Sequence, residues 1–203
     1  MTTQAQRAKR LLDDHGTTYA EQAGIRLRDT PSPLYRLLVL AHLLSARISA
    51  DIAVAAAREL STAGFRTPRR MAEATWQQRV DALGRGHYRR YDERTSTQLG
   101  DAAQLLFDDH GGDLRRLHAD ASSTADLEKA LQRFPGVGPS GSAIFCREVQ
   151  GVWTDIAPYV DDRVIAGAKK AGLPTSAARL AKLVDADDLP RLCAACVRVS
   201  LER

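Results

Sequence analysis

The 203-residue chain has few of the residues on which several other protein classes depend. Its three cysteines, Cys146, Cys193 and Cys196, are too few and too scattered to form a disulfide framework. Aromatic residues make up 5% of the sequence, and no segment alternates strictly between polar and apolar residues, which argues against a β-sandwich. The longest apolar run, at positions 37–46, is interrupted by His42 and is far too short to span a membrane.

The chain also lacks the pattern of a secretory signal, because residues 1–10 are polar and no apolar core follows them. Together with the few cysteines, this predicts a cytoplasmic protein in a reducing compartment, without a membrane partner. Apolar residues at 44% and charged residues at 27% are ordinary for a folded chain, which excludes wholesale disorder.

Lysine is scarce as well, so arginine carries most of the positive charge behind a net charge of +4. The guanidinium group binds phosphate through two parallel donors, which favours a nucleic-acid partner. A genome rich in G and C would also raise arginine and alanine, and composition alone leaves both explanations open. The lysines are Lys9, Lys129, Lys169, Lys170 and Lys182.

What the chain has in abundance is helical spacing of its apolar residues, so we predict an all-α fold. The segment at positions 34–44 is apolar on most sides and predicts a central, buried helix. Thr124 is expected to cap another helix, and Trp76 and Trp153 are expected in the core. The predicted helices span positions 34–44, 51–60, 76–83, 95–107, 124–134, 162–171, 175–184 and 189–201, with a short helix around Met71 and another ending at Gln150.

The most informative segment is a Pro-Gly-Val-Gly turn at positions 135–138, between two predicted helices. The two glycines let the chain reverse sharply, while Val137 anchors the turn in the core. The amides of Gly136 and Gly138 would then point outward at a helix N-terminus. That arrangement predicts an anion site, suited to a DNA backbone phosphate and often assisted by a monovalent cation. A purely structural helix connection would have the same sequence.

The order of these motifs resembles the helix-hairpin-helix DNA glycosylase superfamily, of which endonuclease III is a member. The family's hairpin corresponds to positions 134–138, and its aspartate after an apolar residue corresponds to Asp161 after Val160. Its leucine-rich helix and the tip that follows correspond to positions 43–49, and its second DNA-probing loop to positions 83–88. The resemblance implies a two-lobed helical fold with a DNA cleft between the lobes.

The resemblance also implies how the chain is divided and what it binds. Residues 31–134 would form a central helical bundle, and residues 1–30 with 135–203 a second lobe that contains the second hairpin helix and the catalytic acid. Many relatives of endonuclease III hold an iron–sulfur cluster through four cysteines near the C-terminus. Cys193 and Cys196 supply only two, so we expect no cluster, no other metal and no cofactor apart from a cation at the hairpin.

Asp161 is the implied catalytic acid. Cleavage of an N-glycosidic bond needs a carboxylate that stabilises positive charge on the sugar and orients the attacking water. Asp162 is the reserve candidate, because in related alkyl-base glycosylases the second acid of a pair can react; it could also cap the next helix. Both acids could instead serve only as helix caps. Ser140 occupies the position of the lysine that forms a Schiff base in bifunctional members, so lyase activity is expected to be weak or absent.

The resemblance places further residues at the DNA. Arg47 corresponds to a glutamine that fills the space left by an extruded nucleotide, and its guanidinium could stack between bases. His42 would line the base pocket, although a lone histidine on an apolar helix is more often a core residue. Arg47 and the second loop could equally be ordinary solvated surface. The implied DNA-binding residues are Pro135, Gly136, Val137, Gly138, Ser140, Arg47, His87, Tyr88, Arg89 and Arg163.

These observations predict a monofunctional DNA glycosylase of base excision repair. It would be a cytoplasmic, nucleoid-associated monomer that binds double-stranded DNA, flips a damaged or mismatched base and hydrolyses its N-glycosidic bond. The alternative is a non-catalytic DNA-binding homologue that recognises abasic, mismatched or distorted duplex. A helical interaction domain with an incidental hairpin is a third interpretation.

Overall fold

The computed structural model describes residues 3–202, so residues 1, 2 and 203 of the predicted terminal segments lie outside the described residues. Within that range every regular element is an α-helix or a 3-10 helix, and no strand occurs. The predicted all-α fold is therefore confirmed. None of the helices between residues 3 and 202 is long and apolar enough to cross a bilayer.

Contacts within the chain divide it into two compact units. We call Met1–Gln22 with Cys146–Arg203 the terminal unit, and Ala23–Phe145 the central unit. The central unit contains α3 (Pro31–Ser45), α4 (Ala50–Thr62), α5 (Pro68–Glu73), α6 (Trp76–Arg85), α7 (Asp92–His110), α8 (Leu114–Asp120) and α9 (Thr124–Leu131). The terminal unit contains α1 (Gln4–His15), α2 (Tyr19–Gln22), α11 (Asp162–Lys170), α12 (Ala177–Ala181) and α13 (Leu189–Leu201). Helix α10 (Pro139–Val149) begins in the central unit and ends in the terminal unit, so this boundary lies later in the chain than the sequence-based division at residue 135.

The terminal unit is built on α13, which packs against α1 and α11. Ala8 of α1 and Val164 of α11 are completely buried and share one apolar core with Cys193 and Cys196 of α13. Helices α11 and α13 approach closely at Gly167, where an added Cβ would overlap the carbonyl oxygen of Cys196. A larger side chain at position 167 would therefore force these two helices apart.

The central unit surrounds α3, which is buried along most of its length, as its apolar sequence predicts. Helix α4 packs on α3 and α6, and α7 packs on α5 and α6. A buried arginine, Arg79 of α6, joins these elements. Its guanidinium donates to the carbonyl oxygens of Met71 and Ala74 at the end of α5, at 3.0 and 2.6 Å, and to that of Ser96 in α7 at 2.9 Å. The bonds to Met71 and Ala74 satisfy carbonyl groups that the end of the short helix α5 leaves without partners.

Several expectations about individual elements are corrected by the structure. Helix α9 is capped by Ser123, whose hydroxyl accepts from the amide of Asp126, so Thr124 is the first helical residue rather than the cap. Trp76 is 42% exposed, because it begins α6 on the outer face, where its indole N–H donates to Thr97. Trp153 is buried as expected. Helices α1 and α8 form where no helix was predicted.

Candidate functional site

The Pro-Gly-Val-Gly turn joins α9 to α10. The Val137 amide donates to the carbonyl oxygen of Phe134 at 3.0 Å, and both side chains are buried, so Val137 anchors the turn as expected. Gly136 has φ +84°, in the left-handed region that favours glycine. An added Cβ there would overlap the imidazole of His42 and lie 2.9 Å from Oε1 of Gln98. The turn therefore rests directly on two polar side chains of the central unit.

The turn leaves backbone donors free at the start of α10. Among the described residues, the amides of Gly136 and Gly138 donate to no acceptor. An added Cβ at Gly138 would meet no atom within 4 Å, so this side of the turn is open. Ser140 is exposed in the first turn of α10, which has no acidic residue. Free amides at the positive end of a helix dipole suit an anion such as phosphate.

A buried serine, which sequence reasoning missed, holds the start of α10 in place. The amide of Ser142 donates to the carbonyl oxygen of Gly138 at 3.0 Å. Its hydroxyl donates to the carbonyl oxygen of Pro139 at 3.1 Å and accepts from the Gln132 amide group at 3.1 Å. These three bonds tie both sides of the turn together, so the free amides have a defined orientation.

His42 lies behind the turn and is 5% exposed. Its Nε2 is 3.2 Å from Oε1 of Gln98, an acceptor, so the imidazole donates from Nε2. Burial lowers the pKa of His42 to about 4; the hydrogen bond to Gln98 opposes this shift, and the charge of Arg94 adds to it. His42 is therefore an uncharged side chain at neutral pH, placed between the hairpin and the interior.

A pocket of about 300 Å³ opens beside His42 within the central unit. Its walls come from the end of α3, the segment between α6 and α7, the first turns of α7, and the hairpin. The pocket brings together four residues that the sequence associates with DNA or a base, namely His42, Arg47, Tyr88 and Gly136. The other lining residues are Ser45, Ala46, Tyr91, Arg94, Thr95 and Gln98.

The wall that α7 contributes was not predicted. Tyr91, Arg94, Thr95 and Gln98 follow the spacing i, i+3, i+4 and i+7, which places them on one side of a helix. That spacing is visible in the sequence and could have marked these residues as a group. Nothing in the sequence, however, shows that this side of α7 faces His42.

The segment between α6 and α7 holds three predicted contact residues, His87, Tyr88 and Arg89, and the first two lie in different environments. Gly86 packs on α4, since an added Cβ would overlap the backbone of Ala56. His87 is exposed, with φ +62°. Tyr88 is completely buried, and its hydroxyl lies 3.5 Å from Oγ1 of Thr95. Burial raises the pKa of Tyr88. The enclosed ring of Tyr88 holds the loop from inside, and its contact with DNA stays a prediction.

Two exposed arginines, Arg47 and Arg94, line the pocket. Arg47, Arg89 and Arg94 are exposed and have no carboxylate partner within residues 3–202. Arg85 differs, because its guanidinium pairs with Glu59 at 3.1 Å. The guanidinium groups without partners form the positive surface of this part of the central unit.

The two predicted catalytic acids lie in the terminal unit, at the start of α11. Asp161 is the N-cap of α11, and its Oδ1 accepts from the Val164 amide at 3.0 Å. Its Oδ2 forms an ion pair with Arg147, whose side chain is 7% exposed. Asp162 is the first helical residue, is exposed and has no partner among the described residues, so the expectation that Asp162 caps the helix is wrong. Arg163 is exposed in the same turn.

The end of α10 carries further buried polar side chains that sequence reasoning missed. Glu148 accepts from the amides of Tyr19 and Ala20 at the start of α2, at 3.1 and 3.0 Å. Burial raises the pKa of Glu148, although these hydrogen bonds oppose the shift. Gln150 both donates to the carbonyl oxygen of Tyr159, at 3.1 Å, and accepts from its amide, at 2.9 Å. The signal for these residues was the cluster of polar residues at the end of a predicted helix.

The three cysteines are free and buried. Burial raises the pKa values of Cys193 and Cys196 to about 12, so both are protonated thiols at neutral pH. No group of three or more histidine, cysteine, aspartate or glutamate side chains in residues 3–202 is arranged to hold a metal ion. Both cysteines of α13 are part of the apolar core.

No protein-family model matches this sequence, and no curated protein matches it either. The structure is similar to endonuclease III in two solved DNA complexes. A trapped endonuclease III–DNA covalent intermediate, an estranged-adenine complex, matches with a TM-score of 0.52 and 16% identity over 97% of this chain and 85% of that chain. A non-covalent endonuclease III–DNA complex matches with a TM-score of 0.50 and 17% identity over 97% and 85% of the two chains. The chain therefore has the helical fold of endonuclease III, the helix-hairpin-helix DNA glycosylase fold.

Proposed function

We propose that this protein is a DNA glycosylase that hydrolyses an N-glycosidic bond in duplex DNA and leaves the sugar–phosphate chain intact. The observation that carries the proposal is the hairpin turn with free amides at the start of α10, in a chain that has the endonuclease III fold. The two endonuclease III structures described above are complexes with DNA. In this proposal the protein acts as a monomer in the cytoplasm, at the nucleoid.

DNA binding would begin at the central unit. A backbone phosphate would accept from the amides of Gly136 and Gly138, with a monovalent cation completing the site. Extruding a nucleotide costs a few kcal/mol of stacking and pairing, and the exposed guanidinium of Arg47 would fill the space that it leaves. The pocket beside His42 and Gln98 would then accept an unpaired base, since it combines polar side chains with a volume of about 300 Å³.

Asp161 would act on the sugar. An ionised carboxylate has about four acceptor sites. Asp161 uses one for the Val164 amide and one for Arg147, so acceptor capacity remains for an attacking water. The carboxylate would orient this water while its charge stabilises the oxocarbenium character of the transition state.

Ser140 would limit the reaction to hydrolysis. A serine hydroxyl cannot form an imine with the ring-opened sugar, whereas a lysine at this position could. The product would therefore be an intact strand with an abasic site.

The non-catalytic DNA-binding homologue is the second candidate function, and one observation favours it. Both carboxylate oxygens of Asp161 are already engaged, one by the start of α11 and the other by a buried arginine. A carboxylate held in this way could serve only to cap the helix and to compensate the charge of Arg147.

An excision screen separates the two functions. Duplexes that carry alkylated, oxidised or deaminated bases, or mismatches, are incubated with the protein and analysed before and after hot alkali. The glycosylase gives strand breaks only after alkali. Breaks before alkali would contradict hydrolysis without lyase activity. Binding to abasic duplex with no turnover on any substrate would select the non-catalytic function, and no affinity for duplex at low salt would contradict both.

Single-turnover excision by Asp161→Asn and Asp162→Asn identifies the acid. Asparagine is also a good N-cap, so Asp161→Asn should keep α11. We expect Asp161→Asn to lower the excision rate by at least about 100-fold while affinity for abasic duplex is retained. The opposite pattern, with loss only in Asp162→Asn, would transfer the role to the second acid.

A further inference from the structure

We infer that Arg147 is a positioning residue for Asp161, holding its carboxylate in one orientation from the buried end of α10. The inference rests on the proposed glycosylase activity. It goes further, because it names a buried residue outside the proposed DNA contacts on which the reaction would depend.

Both side chains of the ion pair between Arg147 and Asp161 are largely buried. The Arg147 side chain is 7% exposed and the Asp161 side chain 16% exposed, so neither group can reorient freely into water. Two donors from different directions, the Val164 amide and the Arg147 guanidinium, each take one oxygen of the carboxylate. A carboxylate bound at both oxygens cannot rotate freely about its side-chain bonds. A group that orients an attacking water molecule needs this restriction.

The backbone leading to Asp161 is fixed by the same end of α10. Gln150 makes two hydrogen bonds to the backbone of Tyr159, one to its carbonyl oxygen and one from its amide. The side-chain amide of Gln150 also donates to the carbonyl oxygen of Arg147, at 3.0 Å, which ties this contact to the last turn of the helix. One helical end thus determines both the path of the chain before Asp161 and the orientation of its side chain.

Arg147 also stabilises the charge of the Asp161 carboxylate. Its permanent positive charge compensates the carboxylate when both are withdrawn from water. Removing the guanidinium would leave a partly buried carboxylate held by one hydrogen bond, free to turn away from its position. We therefore expect the chemical step to depend on Arg147 more than DNA binding does.

The test compares Arg147→Gln, Arg147→Lys and Glu148→Gln in single-turnover excision, DNA affinity and thermal unfolding. Glu148 is the matched control, because it is the next residue of the same helix, is equally buried, and bonds the backbone of α2 rather than Asp161. We expect Arg147→Gln to lower the excision rate by about 100-fold with unchanged affinity for abasic duplex. Arg147→Lys, which keeps the charge, should recover part of the rate, and Glu148→Gln should lower the melting temperature with little change in rate per folded molecule.

Two results would overturn the inference: an unchanged rate in Arg147→Gln, or a rate loss in Glu148→Gln as large as that in Arg147→Gln. A wild-type chain that binds duplex without excision would instead reject the glycosylase activity. A thermal double-mutant cycle between Arg147→Gln and Asp161→Asn gives a readout without turnover. Coupling of the two melting-temperature changes supports the positioning contact, and additivity rejects it.

Discussion

At the scale of single residues, His42 connects the hairpin with the interior of the central unit. Its imidazole contacts Gly136, bonds Gln98 and lines the pocket. Because the ring is buried and donates to an amide oxygen, protonation would place an uncompensated charge under the turn. Protonation of His42 should therefore weaken this part of the molecule in acid.

The pH dependence of stability tests this role. Burial lowers the pKa of His42 from the ordinary value of 6.5 to about 4. Between these two pH values the unfolded chain binds a proton at His42 that the folded chain does not bind. The contribution of His42 to the free energy of unfolding is therefore complete above about pH 6.5 and is lost as the pH falls towards 4. Over this range the free energy of unfolding should fall by about 3 kcal/mol.

His42→Gln, which keeps a donor and cannot titrate, should remove this part of the dependence. The measurement is chemical unfolding of both proteins from pH 7 to pH 4. The difference between the two free-energy curves should shrink below pH 6.5. Curves that stay parallel would contradict the assignment.

The structure constrains the two glycines of the hairpin differently. Gly136 needs its glycine for both conformation and space, since φ is +84° and a Cβ would overlap His42. Gly138 has open space around it, so the structure sets no steric limit there. The fold therefore requires glycine at position 136 and sets no such requirement at position 138.

Alanine at each position tests this difference. Gly136→Ala should reduce stability by roughly 2–4 kcal/mol, from left-handed strain and the clash with His42. Gly138→Ala should keep the stability within about 0.5 kcal/mol. Its Cβ would nevertheless crowd the free amides, so affinity for duplex should fall about 10-fold. Equal unfolding midpoints for the two variants would show that the turn does not rest on His42.

At the scale of elements, some helices could be predicted from the sequence more accurately than others. Helix α3 was predictable because it is apolar on nearly every side, and α13 was predicted with the bounds that it has. The cap of α9 was not readable, because Ser123 and Thr124 are both good caps and only the backbone geometry separates them, and the helix ends at Leu131 rather than at position 134. Trp76 was misplaced because a large apolar residue at a helix start can lie outside the core.

At the scale of the whole molecule, a chain with a net charge of +4 carries exposed arginines in both units. Arg89 in the central unit and Arg163 in the terminal unit are both exposed. Neither has a carboxylate partner within the described part of the chain. If one duplex contacts both units, each arginine should contribute a separate phosphate contact.

The salt dependence of binding counts these contacts. Arg89→Ala and Arg163→Ala should each reduce the slope of log affinity against log salt by about 1. Arg69→Ala is the matched control, because Arg69 already pairs with Glu73 on the surface of α5. A slope that changes for Arg89→Ala alone would restrict the DNA contact to the central unit.

Short-range chemistry determined much of this protein directly from its sequence. Helical periodicity, the Gly-Val-Gly turn and the placement of Asp161 at a helix start are encoded within a few neighbouring residues, so they could be read without a structure. The tertiary structure alone decided that Arg147 meets Asp161, that Gly136 rests on His42, and that Tyr88 is enclosed. Those contacts join residues separated along the chain, and they depend on how helices pack and which polar groups must find partners away from water.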